Sequence, residues 1–171
     1  MSQNCLTDQE TDVFVKAHQD MLTKVDGWQN VAKQHLRPDL ISASDSDAFE
    51  NQLSLNSTNY NGLQAWIDKL DGQMSAHFDT LVVTHNCDTI TWYQEFNQGG
   101  MQPVRAISIW FVDMAKMQIY KHYWEHNSGL TAWLQGYFKD GYNVTVSQDE
   151  PKHEISNCRD TCELQYDRCP R

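Results

Sequence analysis

The side chains of this sequence that could carry protons are its seven histidines and its acidic residues, and only a few of them sit among apolar neighbours. His122 is one. It falls in Gln118 to His126, where side chains alternate in direction, so Tyr120, His122, Trp124 and His126 share one face and Lys121, Tyr123 and Glu125 the other. Lys121 and Glu125 suit solvent. That turns His122 inward, either as a site residue or as a buried, hydrogen-bonded histidine. His18 follows Phe14 by one helical turn, as a donor to a ligand or as a partly exposed helix residue. Asp45 and Asp47, which form an acidic cluster with Glu50 in the polar stretch from Ser44 to Thr58, read as a catalytic carboxylate or as part of an exposed acidic loop. Burial raises the pKa of a carboxyl group and lowers that of an imidazole, which brings both toward neutrality. Such groups suit general acid–base catalysis. His77, His85 and Asp88 lie near the ends of two strand-like runs, but they follow no recognised metal-ligand spacing, and no metal is expected. Cys87 has no dedicated base beside it, which leaves it a weak nucleophile candidate.

Patterns of apolar residues supply the elements that would position these groups. Thr7 with Glu10 three residues on starts a helix, carried by Val13, Phe14, Ala17, Met21, Leu22 and Val25 and stopped by Asp26-Gly27. A short helix has Trp28, Val31, Ala32 and His35-Leu36 as its apolar side, and Arg37-Pro38-Asp39 breaks it. Leu40 to Ala43 reads as a short strand, and Ser44 to Thr58 as a loop with at most one turn of helix. Tyr60-Asn61-Gly62 is a turn, and Leu63, Trp66, Ile67 and Leu70 mark a third helix. The period then changes to that of strands: His77 to Thr84, Asp88 to Phe96, Val104 to Met114 and Gln118 to His126. His85 to Asp88, Asn97 to Gly100 and Ala115 to Met117 are the connections. Short connections imply an antiparallel meander. Leu130, Trp133, Leu134, Tyr137 and Phe138 mark a C-terminal helix, and Val144 to Val146 could add a strand.

A length of 171 residues fits one domain with a sizeable core. A net charge of -10 disfavours nucleic acid and anionic membranes as partners. No apolar run approaches the roughly 20 residues of a spanning helix. The N-terminus is polar and acidic with no apolar signal segment, so a cytoplasmic location is expected, with secretion left open if a leader has been removed. Five cysteines are present: Cys5 and Cys87 stand isolated, and Cys158, Cys162 and Cys169 crowd the C-terminus. They fit reduced thiols in the cytosol or a disulfide-pinned tail in a secreted protein, and sequons at Asn56 and Asn143 are compatible with the latter.

Three helices followed by a four-strand meander resembles the SnoaL-like and nuclear-transport-factor-2-like (ketosteroid-isomerase-like) proteins. Val25-Asp26-Gly27-Trp28, Leu36-Arg37-Pro38-Asp39-Leu40, Tyr60-Asn61-Gly62-Leu63, Ser108 to Met114 and Ile119-Tyr120-Lys121-His122-Tyr123-Trp124 resemble that family's motifs in order and spacing, over residues 10 to 127. The resemblance implies an α+β fold, with N-terminal helices packed on a curved antiparallel sheet forming a conical pocket. Residues 1–127 would make that domain and residues 128–171 a C-terminal extension packed on it. It also implies roles. A carboxylate or histidine removes a proton next to a carbonyl, and a second donor stabilises the oxyanion. His122 matches the histidine of the last strand. Asp45 is the nearer match to the base after the Pro-Asp step. His18 stands where steroid isomerases place a hydrogen-bonding tyrosine. Several relatives carry an Asp two residues beyond the last-strand histidine, where this chain has Trp124.

The expected ligand contacts are Trp124, Tyr120, Trp110, Trp92, Phe14 and Trp66, an aromatic lining for a flat, hydrophobic guest. The expectation is a cofactor-independent cyclase, isomerase or dehydratase of secondary metabolism acting on a polyketide-, terpenoid- or steroid-like substrate, as a homodimer. The alternatives are a non-catalytic binder of hydrophobic small molecules and a structural module that dimerises through its sheet.

Overall fold

The computed structural model describes residues 5–50, 54–55, 58–98 and 103–129, all within the compact unit Met1–Asp140. Its first helix, α1 (Asp8–Leu22), starts as the sequence signals. The Thr7 hydroxyl accepts from the Glu10 amide at 3.2 Å, and the Glu10 carboxylate accepts from the Thr7 amide at 2.9 Å, which completes a capping box. Phe14, Ala17, His18 and Met21 recur at helical spacing and are buried, so His18 belongs to the inward stripe, while Val13 faces out. Gly27, with φ of 77°, takes the left-handed conformation that turns the chain into α2 (Trp28–His35).

The strand β1 (Leu36–Ala43) begins at once, so Arg37-Pro38-Asp39 ends the helix but lies inside a strand. Its pairing slips between Leu36 and Ile41, which accommodates a proline with no N–H to give. A short helix α3 (Asp45–Glu50) follows, then β2 (Tyr60–Asn61) where a turn is expected, and α4 (Leu63–Asp71). The strands β3 (Ala76–His85), β4 (Thr89–Gln98), β5 (Val104–Asp113) and β6 (Gln118–His126) form the expected antiparallel meander. β1 adds to it parallel to β6, and β2 pairs antiparallel with β1, so the sheet is mixed, open and ordered β2-β1-β6-β5-β4-β3. The helices α1, α2 and α4 bury Met21, Trp28, Ala32 and Trp66 with the sheet residues Ile90, Trp92 and Trp110 in one core cluster. Trp92 and Trp110 are fully buried. Each removes about 150–250 Å² from water, worth ~4–6 kcal/mol before entropy is charged against it.

Two features correct the sequence reading. Phe111 pairs with Lys121 but Val112 with Ile119, so Tyr120 is an extra residue, a β-bulge. The bulge lets both Ile119 and His122 point inward and turns Tyr120 out, 37% exposed, against Phe111 and Arg37. Cys5 and Cys87 are not isolated but joined in a disulfide. The bond fixes the N-terminal arm to the β3–β4 turn, with the Leu6 amide donating to the Cys87 carbonyl at 3.1 Å. That turn is as expected: the Asn86 side-chain oxygen accepts from the amides of Asp88 and Thr89. Among the described residues no helix is long and apolar enough to cross a membrane. The helix over Leu130 to Phe138, the strand over Val144 to Val146, the tail cysteines, the glycines at 99–100 and both sequons lie outside the described residues.

Candidate functional site

A cavity of about 140 Å³ opens between the helices and the concave side of the sheet. α1 brings His18 to it, β1 brings Ser42, α3 brings Asp47 and Glu50, and β6 brings His122, Trp124 and His126. Trp66 of α4, Tyr60 of β2, Phe78 of β3 and Phe96 of β4 supply aromatic walls.

The inner end is made of two imidazoles. His18 and His122 are 1% and 5% exposed, with ring centroids 5.1 Å apart in an edge-to-face arrangement. His18 also packs 4.6 Å from the Trp110 ring, centroid to centroid. His122 Nδ1 lies 3.4 Å from the Ser42 hydroxyl. His122 Nε2, both ring nitrogens of His18 and the Trp110 indole nitrogen have no hydrogen-bond partner among the described residues. Each buried polar atom left in that state costs about 1–3 kcal/mol, which a guest with matching groups would recover. Burial holds the His18 pKa well below its ordinary value, and the neighbouring His122 adds to the effect. Burial alone pushes His122 down to about 3. Both rings are therefore neutral near pH 7, and each can present one N–H donor and one acceptor.

The rim is acidic. Asp47 is half-buried, and burial raises its carboxyl above the usual range. The charge of Lys69 opposes that rise, as a charge on His126 would, and Glu50 and Glu125 reinforce it. Burial and the nearby Asp47 also raise the Tyr60 phenol. Trp124 donates its indole N–H to His126 Nδ1 at 2.9 Å, and His126 Nε2 lies 2.8 Å from Glu50 Oε1. Oxygens of Asp47 and Glu50 and a nitrogen of His126 lie within 4.8 Å of one another, a spacing a cation could use. Yet the imidazole spends one nitrogen on the indole and the other on Glu50, which leaves no lone pair for a metal.

Of the residues singled out from the sequence, His18, Asp47, His122, Trp66 and Trp124 meet in this cavity. Asp45 does not. It opens α3, its amide donates to Glu125 at 2.8 Å, and the carboxyl that turns to the cavity belongs to Asp47, two residues on. Trp92 and Trp110 are core beneath the cavity floor, and Phe14 packs edge-on to His35. Tyr120 is on the outer face of the sheet. His77 pairs with Asp79 at the surface and His85 with Asp8 at 2.8 Å, so His77, His85 and Asp88 do not come together. The hydrogen bond to Asp8 is the first cause of a raised His85 pKa. The sequence reading passed over Ser42, Tyr60, Glu50 and His126 as site residues. Two of these carried a signal: His126 shares the strand face of His122, and Glu50 lies one helical turn beyond Asp47.

The fold recurs in solved structures. A protein from Jannaschia sp. CCS1 assigned as a SnoaL-like polyketide cyclase superposes with a TM-score of 0.60 at 12% identity, over 75% of this chain and 92% of that one. One from Shewanella putrefaciens CN-32 with the same assignment gives 0.58 at 13% identity, over 77% and 88%. TsrD from Streptomyces laurentii gives 0.58 at 11% identity, over 77% and 98%. Identities this low establish likeness of fold alone. No protein of curated function matches the chain. The sequence itself is matched over residues 4–138 by the model of the NTF2-like domain, and the chain accordingly belongs to the NTF2-like family.

Proposed function

We propose that this chain is a cofactor-independent enzyme of the isomerase or lyase kind, a cyclase or dehydratase, that works by general acid–base catalysis on a compact hydrophobic carbonyl compound. One observation carries the reading: two neutral imidazoles with unpartnered nitrogens close one end of a cavity whose rim holds a carboxyl of raised pKa. Asp47 takes the proton next to the substrate carbonyl. His18 and His122 donate to the oxygen on which charge develops, and their burial makes those hydrogen bonds stronger than they would be in water. A neutral imidazole serves well here, because it donates without first having to be charged. Trp66, Trp124, Phe78 and Phe96 hold the apolar body. The cavity, about 140 Å³, is below the ~300–1,000 Å³ of pockets for drug-sized ligands. A single-ring polyketide- or terpenoid-type substrate fits it better than a steroid. The naming of structural neighbours as polyketide cyclases supports the same class. The Cys5–Cys87 bond favours an oxidising compartment over the cytosol as the place of work.

The test is proton exchange in deuterated water at the carbon next to the carbonyl, across a panel of compact ketones and enones, read by NMR. Asp47→Asn and His122→Leu should each lower the rate by about 10²–10⁴-fold while ligand binding persists. Wild-type rates in both variants would overturn the assignment. Binding without exchange in the wild type would leave the non-catalytic binder.

A further inference from the structure

Trp124, His126, Glu50 and Asp47 follow one another along the rim of the cavity. An indole nitrogen can only donate, so the His126 Nδ1 it meets at 2.9 Å must accept. The ring then carries its hydrogen on Nε2, and that is the atom 2.8 Å from Glu50 Oε1. A second proton on Nδ1 would confront the indole N–H. The His126 side chain is 4% exposed and that of Glu50 14%, so water competes little for these bonds. The His126 amide also donates to the Ser46 hydroxyl at 3.1 Å, which seats α3 on the end of β6. Glu50 is thereby held within 4.8 Å of the Asp47 carboxyl.

We propose that Trp124, His126 and Glu50 are positioning residues: the indole fixes which imidazole nitrogen bears the hydrogen, the imidazole fixes Glu50, and Glu50 presents a fixed negative charge to Asp47. This rests on the reading of Asp47 as the proton-transferring group. Among the described residues, five ionisable groups act on that carboxyl: Glu50 from its own helix, His126 and Glu125 from β6, Lys69 from α4 and Tyr60 from β2. Burial is the first cause of the raised Asp47 pKa, and Glu50 adds to it. A hydrogen on Nδ1 would meet the indole N–H head-on, so the geometry keeps the ring hydrogen on Nε2, facing Glu50. In this chain the strand position of Trp124 thus supplies no acid of its own. It conditions the proton-transferring carboxyl that α3 brings to the cavity.

Nitrogen-15 NMR of the imidazoles and carbon-13 titration of the Asp47 carboxyl test this without any substrate. In the wild type, His126 should show a protonated Nε2 and a bare Nδ1. Trp124→Phe should let Nδ1 take up a proton and lower the Asp47 midpoint. Glu50→Gln keeps an acceptor for Nε2–H and the same shape, and should lower the Asp47 midpoint by about one pH unit through loss of charge alone. A wild-type ring with its hydrogen on Nδ1, or an Asp47 midpoint unmoved in Glu50→Gln, would overturn the relay. Because Glu50→Gln preserves the hydrogen bond, it remains decisive if Trp124→Phe fails to fold. The catalytic reading fails separately, if Asp47→Asn retains full exchange activity whatever the titrations show.

Discussion

Two imidazoles share one buried end of the cavity, and their cost sets the acid response of the fold. Both are held below their ordinary pKa of 6.5 by burial, His122 to about 3. The unfolded chain binds protons as the pH falls through about 6.5, while the folded chain does not. Stability present above that pH is therefore lost as the pH drops toward 3, at up to ~1.4 kcal/mol per pH unit for each ring. Urea unfolding between pH 7.5 and 4 should show this slope, and the His18→Leu, His122→Leu double variant should flatten it. Singly, His18→Leu should leave stability at pH 7 unchanged or raise it by about 1–3 kcal/mol, since it deletes two unpartnered nitrogens, while turnover falls. At this scale the sequence was legible where a period was: helical spacing places His18 inward, and strand alternation places His122, Trp124 and His126. It failed at Asp45, because a six-residue helix in a polar stretch has no apolar stripe from which to read its rotation. It could not separate Trp92 and Trp110 from Trp66, because residue type does not encode depth.

Among the described helices, α3 puts no residue into the core cluster and is held by its neighbour. Its first turn is capped from β6. The Glu125 carboxylate accepts from the Asp45 amide at 2.8 Å and the Ser46 amide at 3.1 Å. Glu125→Ala should cost about 1 kcal/mol and speed amide exchange in α3 ahead of the rest of the molecule, read by hydrogen–deuterium exchange. Sequence reading made Glu125 merely solvent-facing. The capping box at Thr7 and the four-strand meander were legible because their signals are local. The parallel partnership of β1 with β6 was not, because it joins residues about eighty positions apart and leaves no short-range mark. The bulge at Tyr120 broke the parity on which the alternation argument relied.

For the molecule as a whole, the Cys5–Cys87 bond closes a separation of 82 residues and ties α1 to the far edge of the sheet. Cys5→Ser should lower stability by about 2–5 kcal/mol, and alkylation followed by mass spectrometry should label Cys5 and Cys87 only after reduction. The cysteines drew opposite expectations from sequence because their pairing is a fact of the fold. The outer face of the sheet carries Ile41, Ile107 and Tyr120, each more than a third exposed. We expect this face to join two copies of the chain, and Ile107→Glu to halve the mass seen by light scattering.

The indole at position 124 limits what that strand position can carry. An aspartate there would not simply add a proton donor. It would leave His126 without the N–H that fixes its hydrogen and set another carboxyl beside Asp47 and Glu50, so Trp124→Asp should bind and turn over a guest less well than the chain as it stands.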